Sequence, residues 1–340
     1  MRALVTGGAG FLGLHLARRL TEAGVGLKIL DTTARRDWAD GLDVEHVHGD
    51  VRDPSVTARA VRGVDAVVHA AFAAPQAGEA VMREVNVGGT RALCRAMVGE
   101  GVSRLVVVSS TIVEQTDRSV GLARQGPLHR LNVYRATRRE AEGEAVRHGL
   151  EVAVARPKTF LGPGGVGAFR LVFEAIRKGS PVPIPGCGAN TYQLLDVRDF
   201  AAGLHQLLAH RGTGVFRFGA VEYSTVAVDL QVLVDHAATG ARVRPVPRLA
   251  ARVGLRALEL AGVTPLSDWY QCAARGVDSV ADVSRARTDL GWEPARSNAR
   301  SLVEAYDWYA TRRAAGVAVA STHPVPRSHR VVRRLVGSIG

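Results

Sequence analysis

Short apolar runs alternate with segments of helical spacing along the first half of the chain. The runs lie at residues 3–5, 27–30, 44–47, 66–69, 105–108 and 152–155. Nearly continuous apolar runs are typical of strands buried on both faces, and the helical spacing of Leu12, Leu16 and Leu20 indicates a helix between the first two. Strand, helix and strand in regular succession favour right-handed crossovers. The pattern therefore predicts an α/β fold with a parallel sheet.

The first of these strands runs into a glycine-rich turn. Gly7, Gly10 and Gly13 form the pattern G-x-x-G-x-x-G, and the helical spacing follows directly. One glycine allows a sharp turn after the strand, one lets the backbone approach a pyrophosphate, and one packs the helix against the strand. The free N–H groups and positive dipole end of the helix complete an anion site. The sequence therefore predicts a dinucleotide-binding turn.

The second strand ends at Asp31, eighteen residues after Gly13. A carboxylate at this place can accept hydrogen bonds from the adenosine ribose hydroxyls, and it repels the extra phosphate of NADP. NAD is therefore the favoured cofactor. The alternative is that Arg35 or Arg36 binds a 2′-phosphate.

Composition removes several classes of function. The net charge is +12, but six arginines lie in the last 31 residues, which contain no Asp or Glu. The remaining charge shows no basic stripe, which argues against a nucleic-acid partner. Cys94, Cys187 and Cys272 are far apart, which favours a cytoplasmic protein over a disulfide framework or a metal site. No apolar stretch approaches the ~20 residues that span a bilayer.

Motifs along the whole chain resemble the extended short-chain dehydrogenase/reductase superfamily, in its NAD-dependent epimerase/dehydratase family. They are TGGAGFLG at 6–13, GDV at 49–51, HAA at 69–71, Asn86 with Gly89 and Thr90, VVSST at 107–111, Tyr134 with a basic residue four positions later, and DVSRARTDLGWEP at 282–294. The resemblance runs from residue 1 to about residue 310.

The resemblance implies a Rossmann-type, doubly wound parallel sheet with helices on both faces, and a smaller C-terminal substrate-binding domain. Residues 1–158 and 190–215 would form the first domain, and residues 159–189 and 216–313 the second. NAD would be bound by the glycine turn and by a wall of further residues: Gly7, Gly10, Phe11, Leu12, Gly13, Asp31, Asp50, Val51, His69, Ala70, Ala71, Asn86, Ser109, Tyr134, Arg138 and Pro157. His69 is interpreted as part of this wall rather than as a base.

By the same resemblance, Ser110 would hold the substrate oxygen and Tyr134 would be the acid/base during hydride transfer at C4 of the nicotinamide. A phenol needs a nearby positive charge to ionise at neutral pH. The family has lysine four residues later, whereas this chain has Arg138, which keeps the charge but does not give up a proton. Arg138 could be an imperfect substitute, another group could have taken the role, or the protein could bind NAD without redox chemistry.

Lys158 is the candidate for a group that has taken over this role. It follows Arg156 and Pro157 at the end of the sixth strand, where the family's chain passes the nicotinamide and the substrate. The alternative is an ordinary solvated loop lysine.

Around the substrate, the chain departs from the family's sugar-nucleotide enzymes. The Asp-Glu pair of 4,6-dehydratases is replaced by Thr111 and Ile112, and the Val-Tyr-Gly landmark reads VEQ at 113–115. In those enzymes an Asn and an Arg serve the substrate diphosphate. By spacing, these two positions hold Thr159 and Tyr192 in this chain. The predicted substrate contacts are Thr111, Thr159, Tyr192 and Arg285, and the arginines that could replace the missing one are Arg170, Arg177, Arg285 and Arg287.

The functional prediction is an NAD-dependent oxidoreductase or epimerase that acts on a hydroxyl/keto carbon of a sugar-like or other small hydroxylated substrate. The alternatives are a dehydrogenase or ketoreductase for a non-sugar metabolite and an NAD-binding regulatory protein. Loops at 162–167 and 181–193 would border the substrate and suit a closing lid.

The resemblance also implies a homodimer formed through helices near 80–100 and 132–148. The basic tail, 314–340, carries an amphipathic pattern at 328–339. Docking of this tail on its own domain or on a neighbouring subunit, or fraying, is favoured over association with an anionic membrane surface or an acidic partner.

Overall fold

The computed structural model describes residues 1–34, 41–115, 127–251, 253–254, 268–317 and 319. In chain order the strands are β1 Arg2–Thr6, β2 Gly26–Asp31, β3 Val44–His48, β4 Ala66–His69, β5 Arg104–Val108, β6 Glu151–Pro157, β7 Phe160–Leu161, β8 Val182–Pro185, β9 Leu195–Asp196, β10 Gly214–Phe218 and β11 Val243–Val246. The α-helices are α1 Phe11–Glu22, α2 Pro54–Val61, α3 Glu79–Arg83, α4 Thr90–Gly99, α5 Pro127–Val146, α6 Arg170–Arg177, α7 Val197–Ala209, α8 Val226–Ala237, α9 Asp268–Arg275, α10 Ser284–Leu290 and α11 Asn298–Ala314.

The main sheet confirms the predicted α/β fold. Within the described residues it has seven strands in the order β10-β6-β5-β4-β1-β2-β3, and every neighbouring pair is parallel. All six predicted strands are present. The seventh, β10, pairs with β6, so the predicted boundary at residue 215 falls inside a strand of this sheet.

The alternation of side chains along each strand divides the core into two layers. Ala3 and Val5 of β1 pack on the face covered by α1 and α7, whereas Leu4 packs on the opposite face with Leu93 of α4. All four side chains are fully buried. Burial of one such Leu or Val side chain contributes about 1.5–3 kcal/mol to folding, which explains why both faces of the strands are apolar.

A second core lies outside the main sheet. It is formed by α6, α8, α9, α11 and the two-stranded sheet β11-β8, and its centre includes Phe173 and Tyr306 with ring centroids 5.7 Å apart. Asn298, at the start of α11, joins parts of this region. Its side chain accepts a hydrogen bond from the Leu194 N–H and donates to the Tyr192 carbonyl and to Asp229, each at 2.8 Å.

Candidate active site

The glycine turn between β1 and α1 is shaped by close backbone contacts. Gly7 has a φ of +70°, and a Cβ there would lie 2.8 Å from the Ala70 carbonyl oxygen. A Cβ at Gly13 would overlap the Gly8 carbonyl, so α1 packs directly on the turn. At Gly10 a Cβ would meet only the Gly7 oxygen, at 3.2 Å, and the side of the turn where a pyrophosphate would lie stays open. The packing roles expected of Gly7 and Gly13 agree with these contacts, and the approach of a pyrophosphate to Gly10 stays a prediction.

Two alanine substitutions should separate packing within the protein from approach of a ligand. Gly13→Ala should lower the free energy of unfolding by about 1–3 kcal/mol, because the backbone must move to admit the methyl group. Gly10→Ala should keep the stability within about 1 kcal/mol, because φ is −79° there, and should weaken NAD binding. Denaturant unfolding and NAD titration measure the two effects. Equal losses of stability in the two variants would contradict this assignment.

The acidic residues near the predicted adenosine end are anchored in different ways. Asp31 accepts hydrogen bonds from the N–H groups of Ala9, at 3.0 Å, and Thr33, at 2.8 Å, so its carboxylate holds the glycine turn. Asp50 is paired with Arg52 at 2.8 Å, and hydrogen bonding to that guanidinium lowers the pKa of Asp50. Arg35 and Arg36, the alternative 2′-phosphate ligands, lie outside the described residues.

Val51, which follows Asp50, belongs to the same region. It is buried, and a Cβ added at Gly89 would lie 2.7 Å from its Cγ1. Gly89 belongs to a π-helix, Glu84–Gly89, that interrupts the helix predicted near 80–100. π-Helical turns occur often at functional sites.

His69 lies at the carboxyl end of β4 and is fully buried between two threonines. Thr90 Oγ1 donates to the Asn86 carbonyl, so it must accept from His69 Nε2–H at 3.0 Å. His69 Nδ1 therefore accepts from Thr6 Oγ1–H at 2.7 Å. Burial, followed by the charge of Arg138, lowers the pKa of His69 to about 3. His69 is thus a neutral residue with both ring nitrogens hydrogen-bonded to threonines, and its place in the cofactor wall stays a prediction.

Thr6 and Asn86 fix the loop that follows β4. Thr6 Oγ1 accepts from the N–H groups of Ala70 and Ala71, both at 3.2 Å. The Asn86 side chain accepts from the Ala73 N–H at 2.8 Å and donates to Thr137 Oγ1 of α5 at 3.0 Å. Asn86 therefore ties the loop to α5, and the loop in turn packs against Gly7.

Ser109 and Ser110 follow β5, at the same carboxyl end of the parallel strands as His69. Ser110 begins a 3₁₀-helix, Thr111–Glu114, and its hydroxyl oxygen accepts from the Ile112 N–H at 3.3 Å. Thr111 Oγ1 donates to the Pro157 carbonyl, also at 3.3 Å, which joins this turn to the end of β6. Among the described residues, the Ser110 hydroxyl accepts this bond and donates none, so its O–H is available as a donor.

Helix α5 brings Tyr134 and Arg138 to the segment on both sides of Ser110. The half-buried ring of Tyr134 packs against Ile112, Val113 and Leu131. Arg138 Nη2 donates to the carbonyl of Val108. The Arg138 guanidinium carbon lies 5.6 Å from the centre of the Tyr134 ring, as the four-residue spacing predicts.

Arg138 is held by contacts that a lysine could not reproduce. Its guanidinium stacks on Phe72 with 3.6 Å between the guanidinium carbon and the ring centre. The side chain is buried, and burial lowers the pKa of Arg138, although electrostatic interactions with Tyr134 and Glu142 oppose that shift. A planar guanidinium can stack and donate several hydrogen bonds at once.

The same region contains buried donors that make no hydrogen bond within the described residues. Arg138 Nε and Nη1 and the Ser109 hydroxyl have no hydrogen-bond partner among the described residues. Unsatisfied buried polar atoms are costly, so they indicate a polar ligand. Hydroxyl oxygens of a ribose match these donors, and together with the open glycine turn and Asp31 they fit a dinucleotide.

Lys158 is buried, with an exposed fraction of 3%, so the interpretation as a solvated loop lysine is wrong. Its Nζ donates to Ser279 Oγ at 2.6 Å and lies 4.6 Å from the centre of the Tyr192 ring. The Tyr192 hydroxyl in turn pairs with Thr159 Oγ1 at 2.7 Å. The structure therefore brings together the predicted residues Lys158, Thr159 and Tyr192 beyond the end of β6.

The four candidate replacement arginines do not join this group. Arg285 donates to the carbonyls of Thr213 and Val215 and pairs with Asp289, at the amino end of β10 and thus at the opposite edge of the sheet from Ser110. The prediction of Arg285 as a substrate contact therefore needs correction. The others are engaged or exposed elsewhere: Arg287 pairs with Glu293, Arg177 pairs with Glu174, and Arg170 is exposed on α6.

The loop at 162–167 packs on α1 beside the glycine turn. His15 donates to the Pro163 carbonyl at 2.8 Å, and a Cβ at Gly165 would lie 2.5 Å from the Phe11 ring. The loop is thus in contact with the first turn of the helix that would face the pyrophosphate. Lid closure by this loop stays a prediction.

Some predictions concern other parts of the chain. Within the described residues none of the three cysteines forms a disulfide, and Cys94 and Cys272 are buried whereas Cys187 is exposed. The amphipathic pattern at 328–339 lies outside the described residues. Among the residues that are described, no helix is long and apolar enough to cross a membrane, and no group of three or more His, Cys, Asp or Glu could hold a metal ion.

Sequence reasoning missed several side chains that shape the site. They are Thr6, Phe72, Thr90, Glu142, Arg156 and Ser279. Thr6 and Thr90 lie inside motifs that were recognised without a role being assigned to them, and Phe72 directly follows the HAA motif; these positions were the available signal. Ser279 lies 121 residues after Lys158 and carries no spacing signal.

The chain is similar to known proteins over most of its length. Residues 3–218 match the family described as the NAD dependent epimerase/dehydratase family. The chain is 29% identical to the uncharacterized protein y4nG of Sinorhizobium fredii, over 98% of this chain and 85% of that protein. It is 30% identical to UDP-glucose 4-epimerase of Streptomyces lividans, over 91% and 96% of the two chains. It is 28% identical to 3 beta-hydroxysteroid dehydrogenase/Delta 5-->4-isomerase of Mycobacterium tuberculosis, over 91% and 90%.

Solved structures show the same fold. The dTDP-glucose 4,6-dehydratase DesIV of Streptomyces venezuelae, with NAD bound, superposes with a TM-score of 0.69 at 27% identity, over 92% of this chain and 98% of that one. The enzyme WbmG of Bordetella bronchiseptica, in complex with NAD and UDP, gives a TM-score of 0.70 at 21% identity, over 96% and 99%.

Proposed function

The chain belongs to the NAD-dependent epimerase/dehydratase family of enzymes, and we propose that it catalyses hydride transfer at a hydroxyl/keto carbon with Tyr134 as acid/base. The observation that carries the proposal is the placement of Tyr134 and Arg138 on both sides of Ser110, beside buried donors that have no partner among the described residues.

NAD would be held by the turn at Gly7, Gly10 and Gly13, by Asp31, and by the free donors of Arg138 and Ser109. When bound, it supplies a hydride acceptor and donor at C4 of its nicotinamide. The backbone N–H groups at the start of α1 would face the pyrophosphate. Asp31 would accept from the adenosine ribose and disfavour NADP.

The protein's own residues would manage the proton. Ser110 would donate a hydrogen bond to the substrate oxygen, and Tyr134 would take the hydroxyl proton and later return it. The positive charge of Arg138 would stabilise the phenolate without accepting the proton, because a guanidinium stays protonated. A proton that is returned to the same substrate needs no exit path. This favours an epimerase with retained NAD over net oxidation.

The substrate would be a secondary alcohol or ketone of a sugar-like or other small hydroxylated molecule. The named relatives span a nucleotide sugar and a hydroxysteroid. In this chain the positions that would serve a diphosphate are occupied by Thr159 and Tyr192, which bond to each other. That pairing supports a second candidate, a dehydrogenase for a non-sugar alcohol.

A turnover screen tests the proposal. The purified protein is denatured to measure released NAD, and the native protein is incubated with UDP-glucose, UDP-galactose or a 3β-hydroxysteroid, with and without added NAD. Retained NAD and interconversion of the sugars without NADH absorbance would support the epimerase. Substrate-dependent NADH formation would support the dehydrogenase. Failure to bind NAD at all would overturn both.

A further inference from the structure

A chain of ion pairs joins helix α5 to the turn that carries Ser110. Arg156 of β6 lies at its centre. Arg156 Nε donates to Glu142 Oε1 of α5 at 3.0 Å, and its Nη1 donates to Glu114 Oε1 of the 3₁₀-helix at 2.6 Å. Arg217 of β10 binds the same Glu114 at 2.8 Å. The chain of contacts is therefore Glu142–Arg156–Glu114–Arg217.

The contact between Arg156 and Glu142 is sheltered from water, whereas the side chains of Arg217 and Glu114 are 36% and 29% exposed. Only 9% of the Glu142 side chain and 16% of the Arg156 side chain are exposed. Burial would raise the pKa of Glu114, but the guanidiniums of Arg217 and Arg156 outweigh it and lower that pKa. Paired, partly desolvated charges hold their geometry better than exposed pairs, and removal of one partner leaves a buried charge uncompensated.

The carboxylates of Glu142 and Glu114 lie on the two elements that carry the proposed catalytic residues. Glu142 is one helical turn after Arg138 and two turns after Tyr134, and its charge acts on Arg138. Glu114 is four residues after Ser110, within the short helix that Ser110 begins. A second contact, from Arg139 to the Val113 carbonyl, joins the same two elements. One side chain of the sheet, Arg156, thus binds both helix α5 and the 3₁₀-helix that follows Ser110.

We propose that Arg156 is a positioning residue that holds the Ser110 turn and the Tyr134 helix in register through Glu114 and Glu142. The proposal rests on the roles of Ser110 and Tyr134 given above. It also gives a role to the altered landmark at 113–115, since Glu114 pairs there with Arg156 and Arg217.

Arg156→Gln tests the proposal, with Arg156→Lys as the conservative variant and Arg83→Gln as control. Arg83 pairs with Glu140 on the same helix but is 48% exposed and does not touch the Ser110 turn. Fluorotyrosine at position 134 gives a fluorine NMR signal in the NAD-loaded protein. A single sharp line is expected for the native chain and for Arg83→Gln, and a split or broadened line for Arg156→Gln.

With a substrate from the turnover screen, Arg156→Gln should lower kcat by about 10- to 100-fold while KM changes by less than about twofold. Arg156→Lys should restore part of the loss, because an ammonium keeps the charge but lacks the fork that binds two carboxylates. The Tyr134→Phe substitution should cost less in the Arg156→Gln background than in the native chain.

An unchanged NMR line and unchanged kcat in folded Arg156→Gln would overturn the proposal. If Arg156→Gln does not fold, the same readings from Arg156→Lys decide, and native values there would overturn it. Failure of the proposed function looks different: Tyr134→Phe would then keep full turnover whatever the effect of Arg156.

Discussion

Replacing Tyr134 with phenylalanine should lower kcat by about 10²- to 10⁴-fold, the usual contribution of a positioned acid/base. The substitution removes only the hydroxyl. The ring packs against Ile112, Val113 and Leu131, and phenylalanine keeps those contacts. The stability and the affinity for NAD should therefore stay close to those of the native chain. Single-turnover hydride transfer and NAD titration measure the two quantities separately.

The matched control for this variant is Tyr309→Phe. The Tyr309 hydroxyl donates to Glu174 at 2.7 Å in the second core, away from the Ser110 turn. Its loss should cost about 1 kcal/mol of stability and leave kcat unchanged. Native turnover in Tyr134→Phe would show that another group moves the proton, and Lys158, held by Ser279 near the end of β6, would be the first to test.

The parts of the fold that were predictable depend on local signals. A parallel strand buried on both faces must be apolar throughout, so each central strand is visible in the sequence alone. The glycine turn is equally local. Gly13 is required by a backbone contact within the same strand–turn–helix unit, and Gly7 by contacts with the loop after β4. The doubly wound arrangement of the parallel sheet then followed from the family resemblance, whereas the order of its strands was not predicted.

The parts that were not predictable depend on contacts between distant segments. Lys158 was undecided between a functional and a solvated residue because its partner, Ser279, comes from the C-terminal part of the chain. Arg285 was predicted at the substrate as a replacement for the missing arginine, but the sequence does not reveal which end of β10 it faces. The π-helix at Glu84–Gly89 is a local distortion inside an ordinary helical pattern, and no spacing rule marks it.

Arg138 raised the sharpest question in the sequence, because substitution by the family's lysine could either raise or lower the rate. Its surroundings favour one answer. Nη2 bonds the buried carbonyl of Val108, the guanidinium plane lies on the Phe72 ring, and Nε and Nη1 remain as donors for a ligand. A lysine ammonium is a single point of charge, so it cannot bond Val108 and reach the ligand while also stacking on Phe72.

Arg138→Lys should therefore lower kcat/KM by about 10- to 100-fold, which corresponds to the loss of about 1–3 kcal/mol from one buried hydrogen bond and the stacked contact. Arg138→Gln, which also removes the charge that would stabilise the Tyr134 phenolate, should lose more than Arg138→Lys, and the difference between the two variants measures the share of the charge. NAD affinity and kcat/KM, followed in both variants, separate binding from chemistry. A rate above that of the native enzyme in Arg138→Lys would mean that arginine is a compromise at this position, and that the stack on Phe72 is a consequence of its size rather than part of a site built around the guanidinium.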